Sequence, residues 1–392
     1  MAAQSRPLFT RHPFKFLYTA CFLAALPFRL LALALYYSPP LTRPNRTFRQ
    51  AITTKIIFLL FRYWTTVEAQ PTRSLTPGKD KDRFVLLDPA QITHPHSASA
   101  YTGPLSINPA IRPAPIAGFW YEAPPQPDPT TPPELLAIAF HGGAYVSGFA
   151  RPGESGWGAT ALSKRLGCPV LMPQYRLSDT RDRSTTFPAA LQDAVTAYLY
   201  VLYTLKVKPE NIVLSGDSAG ANLVLALLRY IKAQQNANSN TDGGVALPSP
   251  RAALLWGPWV DLDAPAMEID HNRNAGTDYL FGDLGKWGVG AYVPDGMDSA
   301  HELYPYISPL GREFYTEVPM FMHTSTAEIL HDSHCAFAKN LKEVGCRVEV
   351  VEMDYAAHNT FTTADFTGYE EEMAAVMDRV AEFVNVEVGK KP

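Results

Sequence analysis

The chemistry of this chain starts at a serine framed by glycines, Gly216-Asp217-Ser218-Ala219-Gly220. Ahead of it, Ile212 to Leu214 reads as a short buried strand, and from Ala219 to about Ile231 the apolar residues recur at helical spacing. A strand-to-helix turn this tight leaves no room for side chains two positions either side of the serine. It lifts Ser218 Oγ above the sheet and aims the Ala219 N–H at any oxyanion formed there. A serine hydroxyl is a weak nucleophile until a base takes its proton and a third group orients that base. His358, in a loop just past the last apolar strand, can reach back as the base. The acid must follow the preceding strand: Glu328 leaves the strand end directly, while Asp332 already lies on a helix and would point away. Glu328 is therefore the expected acid, with Asp332 and Asp354 as alternatives. Each could instead cap a helix or carry surface charge. Gly142 and Gly143, after another apolar strand, can turn two backbone N–H groups toward Ser218, with Ala219 as a third donor. Gly-Gly after a strand is also common as a plain turn. His141 reads as a brace for that loop, held at the strand end.

The elements that must position these groups alternate along the chain. Arg83–Leu87, Ala117–Tyr121, Leu135–Phe140, Cys168–Met172, Ile212–Leu214, Ala252–Trp256, Val318–His323 and Val348–Met353 read as strands. Leu135–Phe140 is wholly apolar and so expected near the sheet centre. Helices are expected over Phe187–Leu205, from Ala219, over His331–Val344 and over Glu370–Val384. Strands alternating with helices after residue 134 imply a mostly parallel sheet with helices on both faces. Residues 65–82 read as a polar linker, 235–244 as a low-complexity surface loop and 263–315 as an irregular, aromatic-rich insertion over the sheet.

The chain has 392 residues, 46% hydrophobic and 11% aromatic, ample for a large core. A net charge of -4 gives no reason to expect nucleic acid as a partner. Cys21, Cys168, Cys335 and Cys346 show no paired spacing. His331, His334 and Cys335 lie close together, but in a stretch that reads as helix and not as a metal site. The first eighty residues stand apart. Residues 14–37 are nearly all apolar and long enough to span a bilayer, yet Pro27 and Arg29 fall in their middle. Arg6, Arg11 and Lys15 precede the run, Arg43, Arg46 and Arg49 follow it, and aromatics cluster at both ends. A second stretch, Ile52–Trp64, is amphipathic. A membrane anchor is the expected reading, with an interfacial lie favoured over a clean crossing. The alternatives are a buried cap over an apolar site and a cleaved signal peptide. Asn45-Arg46-Thr47 is a glycosylation sequon that matters only on a lumenal side.

Taken together, the motifs resemble the hormone-sensitive-lipase-like group of α/β-hydrolases over about residues 80–390. The resemblance rests on His141-Gly142-Gly143-Ala144, Tyr175-Arg176, Phe187 to Asp193, Gly216 to Gly220 and Pro258 to Leu262, in that order. The group's H-x-F near the end departs slightly here as His358-Asn359-Thr360-Phe361, Ala144 replaces a third glycine, and Glu328 stands where many members have Asp. The resemblance implies an α/β-hydrolase fold with a cap built from an N-terminal segment (1–80) and an insertion (about 263–315) on a hydrolase domain (81–392). It implies a serine hydrolase of carboxylic esters: Ser218 nucleophile, His358 base, Glu328 acid, with Gly142, Gly143 and Ala219 as the oxyanion hole. No cofactor or metal is called for, and the expected partner is a small apolar ester. Alternatives are a biosynthetic hydrolase or cyclase of a polyketide or lactone on the same triad, and a non-catalytic ligand receptor. Membrane association through residues 14–64, at the endoplasmic reticulum for example, is expected, with a cytoplasmic protein as the alternative.

Overall fold

The computed structural model describes residues 7–72, 74–92, 99–121, 128, 130–153, 156–238 and 246–389. Two helices open the chain, α1 (Phe14–Tyr37) and α2 (Phe48–Thr66). Thr47 and Gln50 close a capping box at the start of α2, which sets the turn between them. Then follow β1 (Phe84–Leu87), β2 (Ile116–Tyr121), β3 (Leu136–Phe140), α3 (Gly158–Leu166), β4 (Val170–Pro173), α4 (Ala189–Leu199), β5 (Ile212–Asp217) and α5 (Ala219–Asn238). The second half comprises β6 (Ala252–Trp256), α6 (Ala266–Asp270), α7 (Gly282–Tyr292), β7 (Met320–Ser325), α8 (His331–Glu343), β8 (Val348–Met353), α9 (Thr360–Thr367) and α10 (Glu370–Gly389).

One sheet runs β1-β2-β4-β3-β5-β6-β7-β8, and β3 lies inside it as its unbroken apolar run implied. From β4 onward neighbours are parallel, while β1 and β2 join one edge antiparallel. Both faces of β3 are buried, and its alternation splits them: Leu136, Ile138 and Phe140 enter a core shared with α4, α5 and α8. Ala137 and Ala139 enter a second core with α3, α9 and α10. A sheet covered on both sides is what a mostly parallel arrangement requires. Every parallel strand therefore releases its next loop at the same sheet end, where Ser218, Glu328 and His358 all sit.

Several expectations need adjusting. The stretch 263–315 is not wholly irregular, since it holds α6 and α7; α7 carries four glycines, which conceal a helix from propensity. The short helices α3 and α9 were not foreseen. Helix α5 runs on to Asn238, into the stretch read as a loop; residues 239–244 of it lie outside the described residues. The polar linker is strapped to the body: Arg151 donates to Thr76 O, Pro77 O and the Asp80 carboxylate.

The junction of β5 with α5 is the tightest feature of the sheet. A Cβ on Gly220 would lie 2.0 Å from Phe140 O, and one on Gly216 would lie 2.3 Å from Gly220 O. The two backbones meet with no space for a methyl group. Gly220→Ala should therefore push α5 off β3 and cost on the order of 3 kcal/mol or more of stability, at the upper end of overpacking effects. A thermal melt within a degree or two of the parent protein would contradict that close approach.

Candidate active site

Ser218 occupies the single residue between β5 and α5, at φ 52, the strained left-handed backbone expected of a nucleophile turn. The turn is held from its neighbours: Ser218 N donates to Trp256 O at 2.8 Å, and Ser218 O accepts from Trp259 N at 3.0 Å. Thus the motif Pro258 to Leu262 serves to pin the serine from the next strand along.

His358 lies past β8 and is buried. Its Nδ1 is 2.7 Å from Glu328 Oε2, and its Nε2 is buried without a hydrogen-bond partner among the described residues. His358 lines a cavity together with Ser218, Gly143, Ala144 and Asn359. Glu328 lies in the turn after β7. Its Oε1 accepts from Thr324 Oγ1 at 3.0 Å and Ser325 N at 2.7 Å, with His334 Nδ1 at 3.4 Å. Burial alone would push its carboxyl up, but His334 and His358 hold it well below the usual carboxylate range. For His358, burial works against the charged ring, yet the bond to Glu328 and nearby negative charge leave its pKa raised. Of the two alternative acids, Asp332 is exposed and paired with Arg273 at 2.7 Å, and Asp354 is exposed as well.

Two further buried carboxylates build the site, and the sequence reading assigned neither. Asp278 Oδ1 accepts from His358 N at 2.9 Å and Tyr279 N at 2.7 Å, while Oδ2 accepts from Ile329 N at 2.7 Å. It therefore ties the histidine loop and the Glu328 turn to the 263–315 stretch. Burial raises its pKa. No motif surrounds Asp278, so nothing short of the fold identifies it. Asp217, the free position inside the glycine–serine motif, accepts from Gly142 N at 2.9 Å and from Asn359 Nδ2 at 2.6 Å. Burial pushes its pKa up to about 6.

The Gly142 bond corrects the expected oxyanion hole. Its N–H points inward at Asp217 and is not free for substrate. Gly143 and Ala144 line the cavity instead, and among the described residues neither amide has a hydrogen-bond acceptor. Ala219 N is the first of helix α5, where N–H groups lack an intrahelical acceptor. The open donors are therefore Gly143, Ala144 and Ala219. His141 does brace the loop: its ring stacks on Tyr175 at 4.3 Å, its Nδ1 meets Gly142 O and its Nε2 meets Gln174. Burial lowers its pKa to about 4, so it stays neutral. Tyr175-Arg176 and the Phe187–Asp193 stretch are likewise scaffold, since Arg176 is bonded to buried Asp193.

The rest of the cavity wall is apolar: Trp259, Tyr279, Leu280, Phe281, Leu284 and Ile329, with Phe61 reaching in from α2. At the surface, His331, Cys335 and Glu352 offer three ligand atoms within 4.8 Å of one another. Arg273, though, places its guanidinium 3.1 Å from the other His331 nitrogen, a cation that opposes a metal ion there. His334, grouped with them by sequence, instead supports Glu328.

With this geometry in view, residues 137–362 match the family described as alpha/beta hydrolase fold, and the chain belongs to that family. It is 28% identical over 221 residues to an acetyl-hydrolase of Streptomyces hygroscopicus, spanning 56% of this chain and 66% of that protein. It is 26% identical over 242 residues to an ethyl acetate hydrolase of Pseudomonas putida, spanning 60% and 69%. The matched part is thus about two thirds of the length of these relatives. The solved structure of EstE5 soaked with p-nitrophenyl butyrate superposes with a TM-score of 0.56 at 26% identity, covering 70% of this chain and 82% of that one.

Asp278→Asn isolates the second carboxylate. An amide offers one acceptor oxygen where three N–H donors converge, so at least one buried N–H loses its acceptor, at about 1–3 kcal/mol. The variant should melt earlier, and catalysis should weaken chiefly in kcat because the His358 backbone shifts. Parent-like stability together with parent-like kcat would mean that Asp278 does not hold the loop.

Proposed function

We propose that this chain hydrolyses carboxylic esters of apolar small molecules through an acyl-enzyme on Ser218. The observation that carries the reading is His358, anchored through Nδ1 on Glu328 at 2.7 Å, with Nε2 unpaired among the described residues and the ring lining one cavity with Ser218. His358 Nε2 takes the Ser218 proton as Oγ bonds to the carbonyl carbon. Gly143, Ala144 and Ala219 N–H groups receive the oxyanion. The imidazolium, stabilised by Glu328, returns the proton to the leaving alcohol. Water, deprotonated by the same nitrogen, then attacks the acyl carbon; the acyl–Oγ bond breaks as Nε2 returns that proton to Ser218 Oγ, and the carboxylic acid departs. Relatives named for acetyl-ester and ethyl acetate hydrolysis support this reaction class. The apolar wall suits esters without charge on either part. The biosynthetic hydrolase or cyclase would use the same groups and gains no separate support from the cavity; a receptor would have no use for the His358–Glu328 pair.

A fluorophosphonate probe should label the parent protein and not Ser218→Ala, and that variant should lose several orders of magnitude in kcat. A labelled Ser218→Ala protein, or hydrolysis surviving in it, would remove the reading. The pH dependence follows from His358, which acts as base only when neutral. Its raised pKa moves the acid limb of kcat/KM above the ordinary histidine value of about 6.5. Glu328→Gln removes the negative charge that raises it, so the limb should move to lower pH while kcat falls. A limb left in place with kcat intact, and damage from Asp332→Ala instead, would reassign the acid.

The two N-terminal helices divide anchor and cap between them. Helix α1 is long and apolar enough to cross a membrane by length and composition, with 6% of its most apolar window buried. Phe16, Leu23, Phe28, Leu31 and Leu35 are all exposed. Helix α2 packs against α7 and α9, lines the cavity with Phe61, and follows Arg46, which donates to Tyr355 O and Thr277 O at 2.6 Å each. Helix α1 then lies in a membrane interface while α2 covers the site. Removing residues 1–38 should release the protein from membranes and preserve hydrolysis; removing residues 1–66 should abolish hydrolysis. Fractionation with an ester assay on each form decides it, and a full-length protein wholly in the soluble fraction would remove the anchor.

A further inference from the structure

Asn359 follows the base directly and is held at φ 55, ψ 49, in the left-handed region that Asn tolerates better than most residues. It begins α9, a position where an Asn side chain ordinarily caps the helix, yet here it makes no capping bond. Its amide turns away from the helix, and Nδ2 donates to Asp217 Oδ2 at 2.6 Å. That bond fixes which end is which, because a carboxylate accepts only from the NH2 group. The amide oxygen is left buried and, among the described residues, without a partner, on a residue that lines the cavity with Ser218 and His358.

A buried acceptor without a donor is costly and calls for an explanation. One residue earlier, His358 Nε2 is in the same condition, and its partners are groups of the reaction. Two successive residues that line one largely apolar cavity thus each carry one buried, unpaired polar atom. We propose that Asn359 Oδ1 is a specificity-determining acceptor for a hydroxyl carried by the substrate within a few bonds of the scissile ester. The preferred substrate is then a hydroxy-ester, apolar apart from that hydroxyl. This rests on the reading of Ser218 and His358 as the reacting pair, since adjacency to His358 is what sets the hydroxyl near the ester. The selectivity follows from pairing: a plain ester leaves Oδ1 orphaned in the closed complex, and a hydroxylated one satisfies it.

The test uses the full-length protein and two matched pairs. In one, butyl butyrate is compared with 2-hydroxybutyl butyrate; in the other, ethyl butyrate with ethyl 3-hydroxybutyrate. At least one hydroxylated ester should be preferred in kcat/KM by about tenfold or more. Asn359→Gly suits the left-handed backbone and deletes the acceptor, so it should bring that ratio close to one, whatever happens to the absolute rate. Asn359→Ala carries the same comparison if the glycine variant melts early. Ratios near one for both pairs in the parent protein overturn the inference, as does a preference that survives in the variants. Fluorophosphonate labelling and hydrolysis of the plain esters, measured on the same preparations, distinguish the failures. Protein that labels and cleaves plain esters without preference refutes the hydroxyl subsite alone, whereas protein that does neither refutes the hydrolase reading beneath it.

Discussion

The geometry of the site depends on one buried carboxylate that stands apart from the His358–Glu328 pair. Asp217 sits at the end of β5 beside the nucleophile, and its Oδ2 receives the Gly142 N–H from one loop and the Asn359 amide from another. Three segments that must agree to within a fraction of an ångström converge on a single oxygen. Fixing the Gly142 amide inward also sets the direction of the next two peptides, which is how Gly143 and Ala144 come to line the cavity. Burial raises the Asp217 pKa to about 6, opposed by these hydrogen bonds. Its ionisation therefore lies closer to neutrality than that of an exposed carboxylate, and the junction is strongest where Asp217 is charged. Asp278 does for His358 and Ile329 what Asp217 does for the oxyanion loop. Ser218, His358 and Glu328 are thus held between two buried carboxylates whose oxygens accept from protein N–H groups.

Much of the architecture was legible because the strands are nearly pure apolar runs and the sheet is buried on both faces. Ser218, His358 and Glu328 could be singled out in the sequence because ester chemistry would ask for those residue types at those strand ends, and the structure brings Glu328 to His358 and both His358 and Ser218 to one cavity. What escaped had physical reasons. Helix α9, Thr-Phe-Thr-Thr-Ala-Asp-Phe-Thr, is dense in β-branched residues with low helix propensity and forms only because it is packed against α3 and α10. Helix α7 is hidden by glycines that tertiary contact requires: a Cβ on Gly288 would lie 2.6 Å from Ala144 O. The oxyanion donors were misassigned by one residue. Spacing marks the loop, but only the partner of each amide says which way it faces.

Ala144 shows how such a loop tolerates a departure from glycine. The residue adopts φ 51, where a Cβ costs roughly 1–2 kcal/mol. Its methyl group sits over Gly288 on α7, so the side chain that is missing from the helix makes room for the one added to the loop. Next to it, Tyr145 at φ 63 stacks on Tyr292 with ring centroids 3.7 Å apart and donates to Asn222 at 2.6 Å. Asn222 in turn donates to Trp259 O and Ile307 O. The strained loop is thereby clamped between the insertion and α5, and a clamp of this kind is what lets two successive non-glycine residues stay left-handed.

The same logic bears on the N-terminal helices. Residues 14–64 looked like a choice between anchor and cap because a sequence presents both helices as apolar. Burial separates them. Helix α1 presents large apolar side chains outward, including Phe28 at 75% exposure, whereas Ala51, Thr54 and Ile57 of α2 are buried against the body. The joint between them is polar and aromatic: Thr19 meets Tyr63 at 3.0 Å, Phe22 stacks on Tyr63, and Lys15 reaches Val67 O. A membrane that holds α1 would act on α2 through this joint. Arg46, just ahead of α2, bonds Tyr355 O and Thr277 O, the neighbours of the His358 loop and of Asp278, which ties the start of α2 to that side of the site. The Ser218 turn is held elsewhere, by Trp256 O and Trp259 N, so α2 and the sheet secure different parts of the same cavity.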